Sequence, residues 1–546
     1  MTASLASPSF EFDTIIKNAR IVTASEVYEH ISAIGIKDGV IQAIATSLPA
    51  TSSTLVVDAE GAYVTPGGID SHVHLHQDNA PSGDKWLSGS RSALAGGNTT
   101  ILAFATQEHK NDTLFPVLEE YHGRARDQCY IDYGFHVILT KPNPTILEHE
   151  LPKLAAEGGI SSVKLYMTYP GKKLDDGSML NIMMATRELG MTTMIHAENS
   201  DMIDLVTKKL LEHQRTSPYY HALARPQIAE SEATHRAIAL ATLTSAPILL
   251  VHMSTPVALT HARKAQSKEL LPVHAETCPH YLYLTSQQLA STTNIHQDEH
   301  GHVHEDEDEW AGAKHICAPP LRHDESDLQS LWDAVNNGTI TVISSDHAPT
   351  CYDDVTGKKK PVEAAKARGD GSKPTFAATP NGLPGIETRL PLLFHAATSP
   401  DMRPERRISL PKFVAVTATN AAKLYGMAGK KGSIAPGYDA DITVWYPESD
   451  ARGKTRIGNK MLHHAIDYTP FEGMEVCNWP RKTFLRGRLV WDRDIELKDG
   501  YGKGLLGGPG DGQWLSRSRG QVLVGRVGQT PAGMKVGERE EWGLKV

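Results

Sequence analysis

The sequence predicts an α/β protein built on a (β/α)8, TIM-like barrel, with a small β-sandwich domain formed by both the N- and C-terminal segments. Two observations carry this. Between Pro66 and about Tyr425, eight short apolar strand candidates alternate with stretches of helical character, the texture of parallel strands joined by crossover helices. At both ends, β-rich runs are instead punctuated by tight turns. At the start lie TIIKNARIVTA, ISAIGIKDGVIQAIA with Asp38-Gly39 as its turn, and STLVVDAEGAYV; near the other end lie GSIAPGYDADITVWYP and RKTFLRGRLVWD. The barrel candidates are GGIDSHVHL, NTTILAFAT, IDYGFHVILT, SSVKLYMTY, TTMIHAEN, APILLVHMS, LLPVHAET and GTITVISSDH. This divides the chain into a discontinuous sandwich at 12–65 and 426–500, a barrel at 66–425 and a Gly-rich tail at 501–546. The His and acid tract at 296–310 and the Lys- and Gly-containing segment 357–379 read as solvated surface loops. The tail reads as an extended segment that orders only against a neighbour.

The 546 residues exceed what one hydrophobic core usually organises, in keeping with a large unit plus a smaller one. The net charge of −9 argues against a nucleic-acid partner. No apolar run reaches the length of a membrane span, and MTASLASPSFEFD lacks the basic start and apolar stretch of a secretory signal. Five scattered cysteines with no metal-finger or redox spacing fit reduced thiols, so the expectation is a cytoplasmic protein.

The histidines are more informative. His72 and His74 follow PGGID, Lys164 ends SSVK, His196 ends TTMIH, His252 ends APILLVH and Asp346 ends TITVISSD, each at the carboxyl end of a strand candidate. In a parallel barrel those ends open on one face, where catalytic groups collect. Side chains two apart on a strand share a side, so His72 and His74 can bind one cation together. Two more imidazoles and a carboxylate make a nitrogen and oxygen donor set suited to zinc or a similar ion, and the absence of thiolates points to an open catalytic site. Singly these residues have blander readings: a strand-end histidine as a satisfied polar group, Asp346 as a helix cap, Lys164 as an ion-paired or snorkelling amine. Their joint order along the strands carries the argument.

Those same strings, GGIDSHVHL, SSVKLYMTY, HAEN, VHMS and SSDHAP, resemble the amidohydrolase superfamily, and within it the cyclic amidases dihydropyrimidinase and hydantoinase, from about residue 14 to 495. The resemblance implies a hydrolase of pyrimidine catabolism that opens a cyclic amide to an N-carbamoyl amino acid. It implies two divalent metal ions, usually zinc in this family, with His72 and His74 on one, His196 and His252 on the other, an N6-carboxylated Lys164 between them and Asp346 completing the first. It further implies a hydroxide held between the metals, and Asp346 carrying its proton to the departing ring nitrogen. Tyr169 matches the family's oxyanion donor, with Tyr166 as rival, although alternation along a continuing strand would not place both alike. The segments CAPPLR and NGLPGIETR resemble those that read the cyclic imide, which assigns Ala318 and Asn381 to substrate binding. His76 stands where dihydroorotase would carry an arginine, so an anionic substrate is disfavoured. Allantoinase or another cyclic-imide hydrolase remains the enzyme alternative, and a scaffold relative that keeps the barrel and its histidines without turnover the non-enzyme one. LHQDNAPSG after His74 is more polar than the gate loop of typical hydantoinases, leaving the substrate open; His76 and Asp78 read as exposed loop polarity. The family association also implies a homotetramer.

Overall fold

All eight strand candidates of the middle segment become neighbours in one parallel sheet, in chain order: Gly68–Val73, Asn98–Thr106, Asp132–Ile138, Ser162–Tyr166, Thr192–His196, Ile248–Leu250, Val273–Thr277 and Val342–Ile343. The chain's computed structural model describes residues 11–267, 272–297 and 303–520. A parallel bridge between Val73 and His347, with the His74 N–H donating to His347 O at 2.8 Å, sets the chain after the last strand against the first.

The strand runs are largely apolar because both faces are covered, as parallel barrels require. Asn98–Thr106 and Asp132–Ile138 are buried at every residue. Alternation then divides them: Leu102, Phe104, Met194 and Leu249 join an inner cluster that Tyr425 and Leu515 also enter. Ile101, Ala103, Ile195 and Leu250 belong instead to the larger cluster shared with helix residues such as Leu94 and Ala237.

The two ends meet as expected. Strand Tyr63–Pro66 pairs antiparallel with Ile442–Trp445, Val64 opposite Val444. Thr14–Ile21 pairs antiparallel with Ser32–Lys37 and parallel with both Leu55–Asp58 and Tyr63–Pro66, so it changes neighbours along its length. That switch joins the strands of the predicted sandwich into one mixed sheet, ended by Pro480–Leu485 and Arg488–Asp492. Ile16, Ile34, Val64, Ile442 and Phe484 share its core. A buried ion cluster ties this sheet to the barrel: Lys431 Nζ lies 2.6 Å from Asp132 and Asp441 and 3.0 Å from Asp439. One ammonium among three acids satisfies charges that would be costly alone.

Three expectations are corrected. The described part of the tail orders against its own chain: Leu515 N–H donates to Tyr133 O at 2.8 Å and Arg517 N–H to Gly159 O at 3.1 Å. Trp514 packs on Phe135 with ring centroids 5.0 Å apart, and the Arg517 guanidinium is buried against Ser162 Oγ at 3.2 Å. Aromatic and basic anchors outweigh the glycines around them; residues 521–546 lie outside the described residues. The 296–310 tract takes part in an antiparallel hairpin, Thr293–Gln297 with Val303–Glu307, through backbone pairing that needs no buried side-chain face; His304 to Glu307 are exposed, as expected of a solvated segment. Within 357–379, Lys360–Arg368 is helical with Pro361 in its first turn, and Lys358 is fully buried. Among the described residues no helix is long and apolar enough to cross a membrane, and all five cysteines are free thiols.

Candidate metal centre

The strand-end residues converge. Ligand atoms of His72, His74 and Asp346 all lie within 4.8 Å of one another, with His72 Nε2 3.2 Å and His74 Nε2 3.6 Å from Asp346 Oδ1. Beside them the rings of His196 and His252 are 4.3 Å apart, and His252 is 5.4 Å from His72. Lys164, without exposed surface, brings Nζ to 3.3 Å from His72 Nε2. All six predicted residues therefore meet at one mouth of the barrel, His72, His74, His196, His252 and Asp346 lining a cleft of about 380 Å³.

Their backbones explain how groups on different strands aim inward. Leu249 and Val251 both face the inner cluster, so on a continuing strand His252 would turn away. The strand ends at Leu250, and His252 takes φ 39°, in the left-handed region. Asp346 does the same at φ 47° and Tyr169 at φ 73°. Each such non-glycine residue costs about 1–2 kcal/mol, strain typical of functional sites. On the first strand, the register with its neighbour shifts between Asp70 and Val73, a bulge that re-aims the His72 segment.

Burial sets the electrostatics. It holds His72, His74 and His252 well below the ordinary imidazole value, the Lys164 charge adding to the effect, and pulls His196 down to about 4 against the opposing pull of Glu198. All four imidazoles are thus neutral, the form that ligates metals. Burial also pushes Lys164 down and Asp346 up, each resisting the other. His252 Nδ1 is buried without a hydrogen-bond partner. Four neutral imidazoles, a carboxylate and an orphaned ring nitrogen fit a centre for divalent cations.

Supporting residues that sequence reasoning missed surround these groups. Glu276 Oε1 accepts from His72 Nδ1 at 2.6 Å. Glu198 Oε2 accepts from His196 Nε2 at 2.7 Å and from Arg225 at 2.6 Å, and these partners hold its carboxyl down at about 2 despite burial. Glu276 carried the same signal as the other six, an acid at the end of a barrel strand, and Glu198 lay inside HAEN; Arg225, on a connecting segment, had none. Lys358 donates to Ile316 O, Pro380 O and Gly382 O at 2.8, 2.8 and 2.7 Å, which staples the segments bearing Ala318 and Asn381 to each other.

Ala318 and Asn381 both line the cleft, and Asn381 Oδ1 is buried without a partner. Tyr169 lines it too, its ring 5.3 Å from that of His196. So does Tyr166, 5.9 Å from Tyr169. The expectation that alternation separates the tyrosines is corrected: the strand stops at Tyr166 and the left-handed turn at Tyr169 brings both rings to one cleft. Asp78 is exposed and pairs with Arg124 at 2.9 Å, in keeping with loop polarity, whereas His76 is partly buried and lines the cleft.

Comparison with known proteins bears on this geometry. The sequence profile of the Amidohydrolase family matches residues 63–490. D-hydantoinase of Geobacillus stearothermophilus is 37% identical over 514 residues, 93% of this chain and 98% of that protein. D-hydantoinase of Ralstonia pickettii is 36% identical over 512 residues, 93% and 99% of the two chains. The crystal structure of dihydropyrimidinase from Brevibacillus agri superposes with a TM-score of 0.80 at 34% identity, covering 93% of this chain and 99% of that one. With a matching fold, nearly full coverage and a cleft lined by strand-end histidines, the chain belongs to the amidohydrolase family, in its hydantoinase and dihydropyrimidinase branch.

Proposed function

We propose that this protein hydrolyses the cyclic amide bond of a dihydropyrimidine or hydantoin ring to an N-carbamoyl amino acid. One observation carries the reading: His72, His74 and Asp346 present their ligand atoms within 4.8 Å of one another in a cleft shared with His196 and His252. In this reading His72, His74 and Asp346 would hold one divalent cation and His196 and His252 the other, with Lys164, as its N6-carboxylate, a further ligand. Bound there, zinc or a similar divalent ion would supply a water activated near neutral pH and polarise the scissile carbonyl.

The remaining work falls to the chain. Burial favours the neutral amine of Lys164, the form whose nitrogen adds to carbon dioxide with loss of a proton. Asp346 takes a proton during attack and passes it to the leaving ring nitrogen. Tyr169 donates to the carbonyl oxygen as negative charge develops there. Asn381 and the main chain of Ala318 orient the imide edge.

The homotetramer that the family resemblance implies belongs to this reading; Leu205, Leu223, Ile228, Leu243 and Val257 expose apolar surface on helical segments that association between copies would cover. The function is tested by loading the protein with zinc and assaying dihydrouracil, hydantoin and allantoin. Opening of either of the first two is the expected result. Allantoin as sole substrate moves the protein to allantoinase, and a metal-loaded protein inert toward all three is the scaffold alternative.

A further inference from the structure

Beyond the centre, the cleft wall changes character. Gln77, Asn79, Lys172, Thr350 and Thr379 line it, and apart from the two tyrosines its apolar side chains are alanines and prolines. Among the described residues it presents no leucine, isoleucine, valine, methionine, phenylalanine or tryptophan. Such a wall offers little apolar contact to an aryl or branched alkyl arm. Among the described residues Gln77 Nε2, Thr350 Oγ1 and Thr379 Oγ1 are buried without hydrogen-bond partners, which is costly unless a ligand supplies them.

Two adjacent lysines show where the charge goes. The N–H groups of Lys172 and Lys173 both donate to Tyr169 O, at 3.1 and 3.0 Å, so one turn fixes both. Lys173 Nζ pairs with Asp201 at 2.9 Å. Lys172 Nζ lies 5.4 Å over the ring of Tyr166, a cleft residue, and has no ion pair among the described residues. Burial holds it below the ordinary lysine value against the more distant charge of Glu108. The two acids on the cleft are engaged elsewhere: Asp346 with His72 and His74, Asp84 with His347 at 2.9 Å. Lys360, exposed on the same cleft, is also without an ion pair among the described residues. A half-buried ammonium with no carboxylate beside it is a site short of its counter-charge.

Resting on the cyclic-amidase reading, we propose that the cleft takes rings whose exocyclic arm ends in a carboxylate, received by Lys172 with the Gln77 amide as second donor. The sequence disfavoured an anionic substrate because His76 replaces an arginine. The fold supplies the cation from a different element, the turn after Tyr169, while Arg124 near His76 is spent on His76 O at 2.6 Å and on Asp78.

The test uses the full-length, zinc-loaded enzyme with hydantoin and its 5-(2-carboxyethyl), 5-(2-carbamoylethyl) and 5-phenyl derivatives. The carboxylate and the amide match in size and differ in charge. Wild-type kcat/KM for the carboxylate should exceed that for the amide by about tenfold, the worth of one charge-assisted hydrogen bond, and that for the phenyl compound by more. The carboxylate-to-amide ratio should fall to about one in Lys172→Gln, persist in Lys172→Arg and drop below one in Lys172→Glu. If hydantoin is opened but the wild type treats carboxylate and amide alike, or the preference survives Lys172→Gln, the subsite is overturned and the cyclic-amidase reading stands. If the zinc-loaded enzyme opens none of the four rings the subsite is overturned, and if it leaves dihydrouracil closed as well the cyclic-amidase reading falls with it.

Discussion

Glu276 Oε1 accepts a 2.6 Å hydrogen bond from His72 Nδ1, and the same oxygen lies 3.3 Å from the backbone N–H of His252. One buried acid thereby orients groups from the first and sixth barrel strands. With its Nδ1 occupied, His72 turns Nε2 toward Asp346 and the cleft. Glu276→Gln keeps the shape and replaces the carboxyl that holds His72 Nδ1 with an amide, so divalent-ion affinity should fall about 10–100-fold and activity with it at limiting metal. Metal content after dialysis, read beside kcat, checks this; unchanged affinity would mean the acid only packs.

Lys164→Ala should lose bound metal and activity together, and added short carboxylic acids should restore part of both by standing in for the missing bridge. Metal analysis with and without propionate is the measurement. An alanine variant fully active without additive would reject the two-ion centre.

Tyr169→Phe removes a hydroxyl and little volume. If that hydroxyl donates to the developing oxyanion, kcat should drop about 10²–10³-fold while KM changes little, since the interaction strengthens in the transition state. A change confined to KM would assign Tyr169 to ground-state binding, and the same loss in Tyr166→Phe alone would move the role to its neighbour.

His463 makes stability depend on pH away from the cleft. Burial disfavours its charged form, but Glu387 at 3.0 Å and Glu496 at 3.2 Å outweigh burial and raise it from 6.5 to about 9. A group raised on folding contributes stability that is present in full below pH 6.5 and disappears as pH rises through about 9. The contribution is about 3 kcal/mol. Urea unfolding between pH 6 and 10 should show this decline in the wild type, and His463→Gln should be less stable at pH 6 with a flatter profile. Parallel profiles for the two proteins would exclude His463 as the source.

Much of this was legible in one dimension. The eight strands appeared as short apolar runs because both faces of a parallel barrel strand are buried, and the six candidate ligands stood out as polar residues at the ends of such runs. Glu276 bore that same mark at the end of Val273–Thr277 and was overlooked because it touches a ligand rather than lining the cleft. Arg225 could not be found this way: its value lies in a 2.6 Å contact with Glu198, and nothing in local pattern encodes a contact between loops.

The sequence by itself determined the periodicities, and through them the barrel, the strands shared by the two ends and the face on which the histidines gather. Tertiary structure decided what periodicity cannot express. The left-handed turns at Tyr169, His252 and Asp346 redirect side chains that a regular strand would turn elsewhere. Leu515 and Arg517 are seated against the barrel, and Lys172 has no ion pair among the described residues while Lys173 finds Asp201. Hydrophobic alternation is a local property written along the chain, whereas strain, burial and charge pairing depend on which distant atoms the finished fold brings within a few ångströms.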